Sequence, residues 1–135
     1  FIKRNLKLAI NNGYLGFMTP FVWMFLSSYE NLRNFLLTEK TITSLIQLEY
    51  SAFEGATVPI CTFTLQNNYE SNLKGVYIKL SDFKGASNQS PKTIEAIKNK
   101  RNCNWYFTVA SRDFKLIPGS PISSTKCPSI IKAST

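Results

Sequence analysis

FIKRNLKLAINNGYLGFMTP, residues Phe1 to Pro20, decides the fold class. Phe1, Ile2, Leu6, Ala9 and Ile10 recur near helical spacing, with Lys3, Arg4 and Lys7 on the opposite side, which predicts an amphipathic helix. Asn11, Asn12 and Gly13 end it, and Gly13 is the expected left-handed residue after the last turn. Tyr14 to Met18 (YLGFM) reads as a buried strand closed by Thr19 and Pro20. A helix, a glycine turn and a short strand in twenty residues point to an α/β layer rather than a helical bundle. Position 1 is Phe rather than Met, and the helical pattern is already running there with no capping residue before it. The stretch therefore reads as the interior of a longer protein.

Working outward, the apolar spacing from Phe21 to Leu37 is again helical, with Ser28 placed to cap a second helix through Glu30, Leu32, Phe35 and Leu36. Three strand-like runs follow in succession: Thr41–Leu48 (TITSLIQL), Val58–Leu65 (VPICTFTL) and Gly75–Leu80 (GVYIKL). That breaks the strict alternation of a doubly wound parallel sheet. A mixed sheet with antiparallel edge strands accommodates it. Past residue 81 a short helix is expected over Lys92–Lys98, with Ser90 as its cap and Pro91 at its first position. Trp105 to Ala110 reads as one more strand. Ser123 to Thr135 (SSTKCPSIIKAST) lacks periodicity and reads as an unpacked tail.

The 135 residues are 44% hydrophobic and 13% aromatic, enough for a buried core in one domain or part of one. The net charge of +8 is uneven: residues 1–68 carry five basic and four acidic side chains, residues 69–135 eleven and four. A basic second half favours an anionic partner, nucleic acid first and a membrane surface second. There is no His, which excludes His-based triads, proton shuttles and His-ligated metal sites. Cys61, Cys103 and Cys127 are far apart and odd in number, so they support neither a zinc ribbon nor a disulfide framework, and a reducing cytoplasm is expected. No signal-peptide pattern is visible. The most apolar stretch, Tyr14 to Leu26, is too short and too interrupted for a membrane span.

Two segments are candidates for function. The loop Glu49-Tyr50-Ser51-Ala52-Phe53-Glu54-Gly55-Ala56 follows a strand, and loops at the carboxyl ends of strands are where α/β sheets bind ligands. Two rings beside a glycine suit a planar ligand; alternatively, Tyr50 and Phe53 simply cover the end of the sheet. The second segment joins Lys98, Lys100 and Arg101 to Trp105, Tyr106 and Phe107. Basic residues among aromatics suit phosphate contact with base stacking, or they form a solvated face over a strand whose rings are core. Phe21, Trp23, Phe25 and Phe35 read as core. No Gly-rich cofactor loop, Walker loop or nucleophile elbow is present.

Several blocks in order carry a family resemblance. Phe1–Pro20, LRNFLL (Leu32–Leu37), SLIQLEYSAFEGATVPICTFTL (Ser44–Leu65), GVYIKLSDFKGA (Gly75–Ala86) and DFKLIPGSPI (Asp113–Ile122) resemble gamma-class N6-adenine DNA methyltransferases. They are most similar to the large adenine-specific methyltransferases of bacteriophage-exclusion (BREX) defence systems, over residues 1–122. The resemblance implies a partial Rossmann-like methyltransferase fold that uses S-adenosylmethionine and methylates the exocyclic N6 of an adenine flipped out of double-stranded DNA. It implies other defence-system proteins as partners, and neither a membrane nor a metal. The family's Asn/Asp-Pro-Pro-Tyr motif and Gly-rich loop are absent from this sequence. Phe53 matches the aromatic that packs on the flipped base, and Phe1 an aromatic of the cofactor's adenine pocket.

The expected organisation is thus residues 1–80 as the rear half of a methyltransferase catalytic domain, 81–122 as a basic region leading toward target recognition, and 123–135 as a divergent tail such as a frameshift or truncation leaves. Lys98, Lys100 and Arg101 are the expected DNA-binding residues. The leading reading is a fragment of an adenine-specific DNA methyltransferase, inactive alone. A non-catalytic nucleic-acid-binding module and a truncated gene remnant are the alternatives.

Overall fold

The computed structural model describes residues 1–55 and 57–123. Helix α1 (Ile2–Leu8) leads to strand β1 (Tyr14–Pro20), and two short 3-10 turns (Phe21–Met24 and Ser27–Tyr29) lead into helix α2 (Glu30–Glu39). Strands β2 (Thr41–Gln47), β3 (Ile60–Gln66) and β4 (Lys74–Lys79) follow. Helix α3 (Ala86–Lys98), a 3-10 turn (Lys100–Asn102), strand β5 (Tyr106–Ala110) and the one-turn helix α4 (Ser111–Phe114) complete the order.

The five strands form one mixed sheet in the order β1-β3-β2-β4-β5. β3 lies antiparallel between β1 and β2, β2 and β4 are parallel, and β5 closes the far edge antiparallel to β4. The expected α/β class with antiparallel edge strands is therefore the observed one. The parallel β2–β4 pair is joined through β3, which runs back antiparallel between them in sequence and so supplies the crossover that a parallel pair needs. Gly75 is required where β4 meets the irregularity in β2 between Ile42 and Ser44: a Cβ there would lie 2.3 Å from the Ile42 carbonyl oxygen.

One face of the sheet carries the main core. Cys61, Phe63 and Leu65 alternate inward along β3 and meet Ile42 and Leu45 of β2, Leu36 and Leu37 of α2, and Ile2 and Leu6 of α1. Each fully buried Leu, Ile or Phe contributes about 1.5–3 kcal/mol. Val109, Phe114 and Ile122 belong to this same core, so residues beyond 81 share the sheet and interior of residues 1–80. The opposite face is covered by α3, whose Ala96 is buried together with Ile78, Leu80 and Cys103.

Arg33 is the largest fully buried side chain, only 1% exposed. Its guanidinium donates to the carbonyls of Trp23 (3.0 Å), Leu26 and Gly119 (2.9 Å), joining the 3-10 turns to the 118–121 segment. Burial pushes its pKa down, partly offset by Glu30 one turn earlier.

Several local expectations change. β1 is an edge strand whose residues alternate exposed and half-buried: Leu15 and Phe17 pack against the main core, while Tyr14 and Met18, on the other face, are 69% and 61% exposed. The left-handed residue after α1 is Asn12 (φ 62°), not Gly13. Gly13 gives a close approach: a Cβ would sit 3.0 Å from the Ile10 carbonyl oxygen. Ser28 does not cap α2, because the chain enters through a 3-10 turn and Tyr29 precedes the helix with no side-chain cap. Helix α3 starts at Ala86, so Pro91 lies inside it and Ser90 is helical rather than a cap. The proline costs the Ser87 carbonyl its helical partner, and exposed Ser87 can use solvent instead. Of the four rings read as core, Phe21 and Trp23 are buried, Phe35 packs against the core, and Phe25 is 39% exposed. The tail expected over 123–135, with Cys127, lies outside the described residues from position 124 onward.

Candidate functional site

β1 and β2 both run antiparallel to β3, and β4 runs parallel to β2, so their carboxyl ends gather at one edge of the sheet. Phe21, the 48–55 loop and the 80–85 loop all emerge there. The contacts confirm it: the Phe21 and Tyr50 rings meet edge-to-face at 5.6 Å, Phe25 meets Phe21 at 5.9 Å, and the Phe21 N–H donates to the Pro59 carbonyl at 2.7 Å. Tyr50 is 54% exposed and Phe53 43% exposed, and Phe53 belongs to neither core cluster. An exposed ring beside Gly55, which takes φ 76°, is available to stack on a flat ligand.

The loop is anchored by a buried carboxylate. Glu49, 9% exposed, accepts the Ser51 N–H at 2.8 Å and the Ser51 hydroxyl, and its own N–H donates to Gln89 Oε1 at 3.1 Å. The Ser51 hydroxyl also accepts the Gly85 N–H at 3.0 Å. The hydrogen bonds from Ser51 hold the Glu49 carboxyl below the ordinary glutamate range, against the opposing effect of burial. A lowered folded-state pKa stabilises the loop at pH values above the ordinary glutamate range, and this support is lost as pH falls through the lowered value. An NMR titration is expected to show the Ser51 amide moving with a midpoint below 4.5, the ordinary glutamate value. A midpoint above it would contradict the anchoring geometry.

Phe1 is 84% exposed, and its ring meets that of Phe17 in a T-shaped arrangement at 5.8 Å. Lys98, Lys100 and Arg101 are exposed at the end of α3 and in the following turn. Among the described residues, no hydrogen bond, ion pair or ring contact joins Phe53, Phe1 and this basic group to one another. Among the described residues, no cation–ring contact joins that group to Trp105. The cation at Trp105 is Lys92, whose Nζ lies 5.1 Å from the Trp105 ring and 5.0 Å from Phe83 while pairing with Glu95 at 2.8 Å. Trp105 donates from its indole to the Lys92 carbonyl, which ties it to the side of α3.

Glu49 and Ser51 lay within the candidate loop but carried no role of their own, and Gln89 and Arg33 were not legible as site or core residues. Arg33 alone had a signal: it stands three and four positions before the buried Leu36 and Leu37, a charge on the apolar stripe. No helix among the described residues is long and apolar enough to cross a membrane, and no group of three or more His, Cys, Asp or Glu side chains among them is placed to hold a metal ion.

Residues 1–53 match the Eco57I restriction-modification methylase family. Over 126 residues, 91% of its length, the chain is 34% identical to the adenine-specific methyltransferase BrxX of Escherichia coli O9:H4 (strain HS). The chain is homologous to a segment of the adenine-specific methyltransferases. It is also 31% identical over 126 residues to the adenine-specific methyltransferase PglX of Lacticaseibacillus casei (strain Zhang). It spans 10% of the length of each of these two relatives. The fold agrees. The methyltransferase subunit of a type I restriction-modification system from Streptococcus thermophilus superposes with a TM-score of 0.60 at 19% identity, over 82% of this chain and 25% of that one. A Listeria monocytogenes protein described as a class I S-adenosylmethionine-dependent methyltransferase gives 0.51 at 20% identity, over 73% and 31%. The architecture is thus a partial Rossmann-like methyltransferase fold.

Proposed function

We propose that this chain is part of an adenine-specific DNA methyltransferase of a BREX or restriction-modification defence system, acting in the cytoplasm on double-stranded DNA alongside other proteins of that system. The observation that carries the reading is the placement of Phe53: an exposed ring at the carboxyl edge of a methyltransferase sheet, in a chain homologous to BrxX and PglX. There its face is free to stack on an adenine swung out of the duplex and so keep the exocyclic amine from returning to the helix. When bound, S-adenosylmethionine supplies an electrophilic methyl group. Of the residues present here, the exposed Phe1 ring, backed by Phe17, fits the flat adenine of such a cofactor. Lys98, Lys100 and Arg101 are exposed, form no ion pair among the described residues, and are suited to phosphate contacts. Because the sequence has neither the Gly-rich loop nor the Asn/Asp-Pro-Pro-Tyr motif, the chain by itself is expected to be inactive.

The test is a graft. Placed in BrxX in exchange for the 126 residues it matches, the chain should preserve adenine methylation, whereas the purified 135-residue chain should transfer no labelled methyl group to DNA. A folded but inactive graft would overturn the reading, and methylation by the chain alone would overturn the expected dependence on the rest of the enzyme. Changing Lys98, Lys100 and Arg101 together to Gln should flatten the salt dependence of duplex binding by the graft, at about 0.9 in log–log slope per lost phosphate contact. An unchanged slope would move the DNA-facing surface elsewhere and leave the non-catalytic, binding-only reading without its basic site.

A further inference from the structure

The loop that carries Phe53 is bolted to a segment more than thirty residues further along the chain, by side chains that the stacking role itself does not use. Gln89, 8% exposed, sits in the first turns of α3. Its Oε1 accepts the Glu49 N–H at 3.1 Å, and its Nε2 donates to the carbonyls of Phe83 (2.6 Å) and Gly85 (3.0 Å). One amide group thereby spans the roots of both loops. Ser51 makes the second bolt, receiving the Gly85 N–H while donating to Glu49. Gly85 takes φ 89°, a conformation that side-chain-bearing residues rarely adopt and that glycine takes without strain. Phe53 lies two residues beyond Ser51. Helix α3 starts one residue beyond Gly85 and ends at Lys98, at the basic group.

We infer that Gln89 and Ser51 are positioning residues for base capture: they hold the Phe53 loop at a fixed height on the root of α3, so that the ring's placement depends on the helix that leads to the basic surface. The inference rests on the stacking role proposed for Phe53. Gln89 suits the task because a buried primary amide can satisfy one donor and two acceptors at once, and leaving any of the three unpaired is costly. A displacement of the ring by about 1 Å is enough to cost up to a hundredfold in rate.

A double-mutant cycle in the grafted enzyme separates positioning from general support of the fold. Gln89→Met keeps the side-chain volume and removes all three hydrogen bonds; Ser51→Ala removes the hydroxyl and Ser51→Thr restores one. Gln89→Met and Ser51→Ala should each lower kcat roughly tenfold, with KM for S-adenosylmethionine unchanged. Each should also reduce the fluorescence gain of 2-aminopurine placed at the target adenine, and Ser51→Thr should recover most of both signals. In a Phe53→Ala background, Gln89→Met should add almost nothing, because the residue it positions is gone. Additive losses in that background, or variants with the fluorescence gain of the parent, would overturn the inference while leaving the role of Phe53 intact. If Phe53→Ala by itself leaves turnover and fluorescence unchanged, the stacking role is the reading that fails, and the positioning role falls with it.

Discussion

Replacing Phe53 by Ala in the grafted methyltransferase should lower turnover roughly ten- to a hundredfold. Stacking of an extruded base on an aromatic side chain is worth about 1–3 kcal/mol, and each 1.36 kcal/mol is a factor of ten in rate. Phe53→Trp should keep most of the activity, since a π-face is what the base requires. Affinity for S-adenosylmethionine should hardly change, because Phe1, the residue proposed to face the cofactor, makes no contact with Phe53. The structure sharpens this expectation against the alternative that Phe53 is a core side chain. A buried Phe→Ala change costs about 3–5 kcal/mol, but Phe53 is 43% exposed and outside both core clusters. Its loss should therefore leave the melting temperature nearly unchanged. A large fall in melting temperature with normal turnover of the folded fraction would reverse the assignment.

The second large effect concerns stability. Arg33→Met should destabilise the chain by about 3–5 kcal/mol, lowering its melting temperature by on the order of 10 °C. The buried guanidinium donates to the carbonyls of Trp23, Leu26 and Gly119, and Met can bond none of them. Arg33→Lys should be only partly protective, because an ammonium lacks the flat fork that reaches both sides. The segment that Arg33 secures also brings the Ile122 N–H to the Met24 carbonyl at 2.9 Å, so residues 118–122 should become protease-sensitive first. A variant as stable as the parent, with these residues still protected, would show that the core holds them without the arginine.

Much of the α/β architecture was legible from local pattern. The runs TITSLIQL and VPICTFTL became β2 and β3 within two residues of their expected bounds, because β-branched and apolar side chains suit a pleated, half-buried surface. The helical spacing around Leu32, Leu36 and Leu37 placed α2 correctly at its carboxyl half, where the apolar stripe is read by its own neighbours. Boundaries set by competing backbone bonds were not legible. Helix α3 starts at Ala86 rather than at Lys92, and from inside it Gln89 donates to the Phe83 and Gly85 carbonyls, contacts that no capping rule anticipates. For the site, Phe53 stood out as a ring beside a glycine after a strand. Its anchors did not, since a Glu, a Ser and a Gln at surface-like positions look like ordinary polar residues until the fold buries them.

The sequence by itself determined the class of the elements, the basic bias of the second half, the absence of histidine chemistry, and the kinship with adenine-specific methyltransferases, because each of these is carried by residue identity or by spacing within one or two turns. Only the tertiary structure decided that β3 inserts between β1 and β2, that Arg33 is interior, that Lys92 rather than Lys98, Lys100 or Arg101 serves Trp105, and that Ser51 and Gln89 tie the Phe53 loop to α3. The physical reason is common to all four. Strand order and the partners of buried polar groups are set by backbone hydrogen bonds and by pairs separated by 7 to 86 residues, and such pairs leave no periodic trace in the chain that joins them.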